Sequence, residues 1–138
     1  MINEEQIAAI VAAAAEAFRR ILPPGFELTA NHDALMLTSP ASLAIFYVGL
    51  NIGCRLEADY RPLEAVEDVL VSFAENLQDA VTEEITYPWP KDPRLGKSDF
   101  PLPNAELREG ALVIWFGREE DALTPPIRIP LPAELIDA

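Results

Sequence analysis

The chain has 138 residues, half of them hydrophobic, and a formal net charge of −13. A chain of this length suits one domain over residues 1–138, and so apolar a composition excludes an intrinsically disordered polymer. The strong acidity disfavours nucleic acids and anionic membranes as partners, because both attract clustered Lys and Arg side chains.

The N-terminal region predicts a cytoplasmic protein. Its apolar run, residues 7–15, is too short to span a bilayer, and acids rather than the basic residues of a signal peptide precede it. Arginine outnumbers lysine and alanine is abundant, which is typical of a bacterial protein from a GC-rich genome.

The first predicted element is an amphipathic helix over residues 4–22. Asn3 and Gln6 have the spacing of a capping box, and Pro23-Pro24-Gly25 ends the helix. Between them, apolar residues recur at helical spacing: Ile7, Ile10, Val11, Ala14, Phe18 and Ile21.

Three short strands are predicted next. Residues 26–30 alternate between apolar and polar side chains, and residues 34–38 return after the turn residues Asn31-His32-Asp33. Residues 42–52 are apolar on both faces, which is typical of a central strand.

A second helix is predicted from Pro62 to about Glu84. Its apolar residues again step by three or four: Leu63, Val66, Leu70, Phe73, Leu77 and Val81. We expect Leu70, Phe73 and Leu77 to be buried together with Ile45 and Tyr47 of the third strand.

The composition changes after residue 87, where most of the prolines lie. Residues 87–103 should carry little regular structure. Residues 105–109 and 111–116 predict a hairpin that closes at Glu109-Gly110. Residues 127–131 predict an edge strand, because Pro130 removes a ladder donor.

These elements predict an α+β fold in the order α-βββ-α-loop-ββ(β), with both helices packed on one face of a mainly antiparallel sheet. This order resembles that of the small acidic chaperones of type III secretion effectors. The resemblance concerns the fold alone and transfers no residues, because those chaperones share a C-terminal helix and this chain ends in a proline-rich edge segment.

A second resemblance is local and covers about the last 60 residues. It rests on four short stretches, namely Leu77-Gln78-Asp79-Ala80-Val81, Pro88-Trp89-Pro90, Glu109-Gly110-Ala111 and Trp115. They are similar to small uncharacterised actinobacterial proteins with a Pro-Trp-Pro signature. That resemblance implies no particular activity.

The sequence offers little for catalysis or metal binding. His32 and Cys54 are the only histidine and cysteine, too few for a zinc site within one chain. A nucleophile–histidine device would have to use His32, which falls in the predicted turn 31–33 and is better interpreted as a turn residue. We therefore expect no metal and no cofactor. Glu119-Glu120-Asp121 is better interpreted as a solvated loop than as a cation site, although a catalytic carboxylate pair elsewhere stays open.

Two surfaces are candidates for binding. One is an acidic helix face made of Glu64, Asp68, Glu75, Asp79 and Glu83. A solvated face that promotes solubility is the simpler interpretation of it, and a docking surface for a basic partner is the alternative. The other is the proline-rich arm, residues 87–103, whose candidate partner- or ligand-binding residues are Tyr87, Trp89, Lys91, Arg94, Lys97 and Phe100. A long loop is often functional, but the same arm also suits packing of Trp89 onto the sheet.

These features favour a non-catalytic protein-interaction module, such as an adaptor, a chaperone-like factor or an inhibitor. Its partner would be a protein, the acidity of the chain favours a basic one, and a homodimer is left open. A small-ligand-binding domain with its pocket between the sheet and residues 87–103 is the alternative. An enzyme that uses a carboxylate pair is the third hypothesis.

Overall fold

A computed structural model describes residues 4–31, 34–38, 45–49, 62–85, 89–90, 101–122 and 124–133, with residues 45–49 described by their backbone. Its elements, in chain order, are α1 (Glu4–Arg19), β1 (Glu27–Asn31), β2 (Ala34–Thr38), β3 (Ile45–Gly49), α2 (Pro62–Ile85), β4 (Pro103–Arg108), β5 (Ala111–Phe116), a short 3₁₀ helix (Glu119–Asp121) and β6 (Ile127–Pro130). The predicted α+β class and element order are confirmed.

The described strands form two antiparallel sheets. The first sheet has the order β1-β2-β3 and the second has the order β4-β5-β6. The antiparallel pairing follows from the order of the chain, because consecutive strands joined by short connections return beside one another.

Helix α1 ends at Arg19, earlier than residue 22. Ile21 and Leu22 donate instead to carbonyls three residues back, at 3.1 and 3.4 Å. Pro23 disfavours helical backbone in the residue before it, so the last turn tightens before the chain leaves the helix. Gly25 then adopts a φ of 91°, which completes the turn into β1.

The first sheet has one edge at β1. Its register pairs Glu27 with Thr38 and Asn31 with Ala34. The Arg19 side chain donates from Nε to the Leu28 carbonyl over 2.5 Å, so a side chain of α1 occupies part of this edge. That bond ties the end of α1 to the strand that follows it.

The second sheet contains the predicted hairpin. Glu109 and Gly110 both have positive φ, 49° and 77°, as a two-residue turn of type I′ requires. Leu131, directly after β6, donates to the carbonyl of Gly110, directly before β5. Because hydrogen-bonded pairs alternate along an antiparallel ladder, Ile129 and Ile127 then bond to β5 as well. The backbone nitrogen of Pro130 points away from β5, toward the outer edge of the described sheet, so its missing N–H removes no bond to β5.

The core lies between the helices and the inner faces of the sheets. Helix α1 packs against β1 of the first sheet and β6 of the second, and α2 packs against β4. Phe18 of α1 meets Phe73 of α2 edge-to-face, with ring centroids 5.0 Å apart. Leu70, Phe73 and Leu77 are fully buried, as predicted. The side chains of β3, including Ile45 and Tyr47, lie outside the described residues.

Within these described ranges, neither helix has the length and apolar character that crossing a membrane demands.

Candidate protein-interaction surfaces

The acidic face of α2 is solvent-exposed along the helix. Every one of its five carboxylate side chains is exposed: Glu64, Asp68, Glu75, Asp79 and Glu83. At about 100° per residue, these positions fall within roughly 100° of arc and extend over about 28 Å of helix. The opposite side of α2 is apolar and buried, which fixes the acidic face toward solvent.

The proline-rich arm begins inside the core. Trp89 is only 8% exposed, and its ring lies 6.0 Å from that of Phe116 on β5. The Trp89 backbone N–H donates to Thr82 Oγ1 of α2 over 3.1 Å, and Pro90 is also buried. The position of Trp89 therefore matches packing onto the second sheet rather than an exposed binding surface.

The arm ends on the same part of α2. Gln78 is 3% exposed and donates from Nε2 to the Pro101 carbonyl over 2.5 Å. Gln78 and Thr82 are one helical turn apart, so a single turn of α2 holds both described ends of the arm. Asp79 and Glu83 follow these two residues directly. The structure thus brings the base of the arm beside the acidic face.

Other predicted site residues lie outside the described ranges. They are Tyr87, Lys91, Arg94, Lys97 and Phe100, together with most of the loop that would enclose a ligand pocket. His32 and Cys54 lie outside them as well. Among the residues that are described, no group of three or more His, Cys, Asp or Glu side chains is arranged to hold a metal ion.

A charged cluster that was not among the sequence-based predictions lies on the outer face of the second sheet. The Arg108 guanidinium lies 5.2 Å from the centre of the Trp115 ring and pairs with Glu106 at 2.6 Å and Glu119 at 2.5 Å. Glu119, predicted to be part of a solvated loop, is exposed but anchors the 3₁₀ helix to β4. In the sequence, this polar face is indicated by polar residues at every second position of β4, namely Asn104, Glu106 and Arg108.

Hydrogen bonds within this cluster shift the pKa values of Arg108 and Glu119. The bond from Arg108 holds the pKa of the Glu119 carboxyl below its ordinary value. The two carboxylates raise the pKa of Arg108, with Glu119 contributing more than Glu106. All three side chains reach solvent, so these ion pairs position the 3₁₀ helix without a large energetic contribution.

Comparison with protein-family models, with characterised protein sequences and with solved structures gives no match to this chain. Both resemblances described from the sequence therefore stay expectations.

Proposed function

We propose that the protein is a non-catalytic protein-interaction module that docks a basic protein partner on the acidic face of α2. Adaptors, chaperone-like factors and inhibitors all work through such a surface. The observation that carries the proposal is the exposure of all five carboxylates along one side of a helix that contains no Lys or Arg.

The charge pattern has an energetic cost within the helix. Glu75 and Asp79, and Asp79 and Glu83, are like charges four residues apart, and each such pair disfavours the helix by about 0.2–0.5 kcal/mol. Glu83 also lies near the C-terminal end, where the helix dipole disfavours an acid. Intrahelical stability therefore does not explain the pattern, whereas binding of a basic surface offsets the cost.

The shape of this surface suits a protein partner. A row of carboxylates about 28 Å long matches an extended segment or helix that presents several Lys or Arg side chains. Long-range attraction to such a partner accelerates association and weakens as salt is added. Trp89 and Pro101, at the described ends of the arm, are bonded to the turn of α2 that adjoins Asp79 and Glu83, so both ends of the arm lie next to the same surface.

The test is parallel affinity purification from the native host, followed by mass spectrometry. One bait is the native chain, and a second carries Glu75→Gln, Asp79→Asn and Glu83→Gln, which keep size and remove charge. The matched control removes three exposed carboxylates elsewhere through Glu4→Gln, Glu5→Gln and Glu27→Gln. We expect a basic partner with the native and control baits that is lost with the α2 variant.

A fourth bait assigns the role of the arm. Replacing Lys91, Arg94 and Lys97 together with Ser leaves the buried Trp89 in place. Loss of the partner with this bait alone would move the docking surface from α2 to the arm. Recovery of the same proteins with all four baits would contradict the proposal.

A further inference from the structure

The outer face of the second sheet has a reciprocal charge pattern. One row across its three strands runs from Glu106 on β4 through Val113 on β5 to Arg128 on β6. An acid therefore lies at one margin, an apolar residue in the middle and a base at the other margin. Glu106 and Arg128 are both exposed, and Glu106 also pairs with Arg108 of its own chain.

The middle strand of this face is apolar. Ala111 and Val113 are buried on it, and Trp115 is half-buried beneath the Arg108 guanidinium. Leu102, which precedes β4, is 69% exposed and is the one large apolar side chain so exposed within the described ranges. Ala111 and Val113 are already covered within the chain, so the accessible apolar surface of this face is that of Trp115 and Leu102, bordered by charged side chains.

We infer that this face is a contact between two copies of the chain, related by a two-fold axis that runs along β5. Such an axis exchanges the two margins of the sheet. It places Glu106 of each copy opposite Arg128 of the other and brings the two Trp115 side chains toward each other. An isologous contact requires this kind of self-complementary surface.

Charge argues for a second copy as the occupant. Two chains with a net charge of −13 repel each other, so a contact between copies needs a locally balanced surface. Glu106 and Glu119 balance Arg108 and Arg128 on this face, whereas the acidic face of α2 would repel its own copy. A basic partner suits α2 instead, so the homotypic contact does not depend on the proposed function.

The area of the face sets the strength of the contact. The six residues of β5 at about 3.4 Å each and a width of three strands at about 4.8 Å give at most roughly 300 Å², because β6 has only four residues. Stable interfaces bury about 800 Å² per partner. The dimer is therefore weak and reversible, and it forms as the protein concentration rises.

Sedimentation equilibrium from about 1 μM to 1 mM tests this contact. Glu106→Arg and Arg128→Glu each place like charges opposite one another and should weaken self-association by about tenfold. Glu106→Arg also lowers the net negative charge, so a general charge effect would strengthen association instead. For Glu106→Arg, the proposed contact therefore predicts weaker self-association and a general charge effect predicts stronger self-association.

Mixing the two variants provides the decisive measurement. Glu106→Arg has a base at both margins of the row, and Arg128→Glu has an acid at both margins. An equimolar mixture should therefore form heterodimers more tightly than either variant forms homodimers. The double variant should recover native association, because it exchanges the margins and keeps their complementarity. Glu27→Arg and Arg20→Glu, exposed positions away from this face, serve as charge-matched controls.

A monomer at every concentration, or a dimer that these reversals leave unchanged, would overturn the inference. The α2 variant with Glu75→Gln, Asp79→Asn and Glu83→Gln separates it from the proposed function. That variant leaves the reciprocal pattern intact, so it should still form the dimer even where it no longer binds a basic partner.

Discussion

Gln78 on α2 donates a hydrogen bond from its side-chain Nε2 to the backbone carbonyl of Pro101, and both groups are buried. The bond joins a helix to the end of an arm 23 positions further along the chain. The bond accounts for a polar side chain on the buried side of α2. Without Gln78, the buried Pro101 carbonyl would have lost its hydrogen bond to water and gained none in return.

Replacing Gln78 with Ala should lower the free energy of unfolding by about 1–3 kcal/mol, because the buried Pro101 carbonyl is left without this donor. Urea denaturation measures the change. Asn76→Ala, an exposed amide on the same helix, is the control and should change stability by less than about 0.5 kcal/mol. Equal effects of the two substitutions would mean that this hydrogen bond does not stabilise the arm.

Phe73→Ala should destabilise the protein by about 3–5 kcal/mol, because Phe73 is 1% exposed and its removal leaves a cavity between the helices. A double-mutant cycle with Phe18→Ala should give a coupling energy of about 0.5–1.5 kcal/mol for the edge-to-face pair. Thermal and urea unfolding of the four proteins measure both quantities. Strictly additive effects would contradict the contact between the two rings.

Trp89→Ala should also cost about 3–5 kcal/mol, since Trp89 is buried against Phe116. Trp115→Ala is the matched comparison, because it removes the same side chain from a half-buried position. We expect the substitution at Trp115 to be clearly less destabilising in urea unfolding. A change below about 1 kcal/mol at Trp89 would restore the view that the arm presents this residue to a partner.

Arg108→Gln should raise the pKa of the Glu119 carboxyl toward its ordinary value, because the hydrogen bond from Arg108 lowers that pKa in the native protein. A group with a depressed pKa in the folded state stabilises the fold above its unfolded-state pKa. This stabilisation is lost as the pH falls through the folded-state pKa. Any stability difference between the native protein and Arg108→Gln should therefore shrink below pH 4.5, the ordinary value.

Titration of the Glu119 side chain by NMR provides the direct measurement. Arg128→Gln is the control, because Arg128 donates to the Glu109 carbonyl and not to Glu119. It should leave the Glu119 midpoint in place. An unchanged midpoint in Arg108→Gln would show that the ion pair is absent in solution.

Local patterns in the sequence determined the elements of this protein. The apolar spacing from Leu63 to Val81 predicts α2, and Glu109-Gly110 predicts the hairpin turn, because helix periodicity and positive φ are properties of residues close in the chain. The acidic face was predictable for the same reason. Once the apolar residues of α2 are buried, the positions between them are directed outward.

Only the tertiary structure decided where distant segments meet. The division of the strands into two sheets, the burial of Trp89 against Phe116 and the bond from Gln78 to Pro101 join residues far apart in sequence. The reciprocal row from Glu106 to Arg128 likewise depends on strand register. Local propensity carries no information on such pairings, because they are selected by the packing of the whole core.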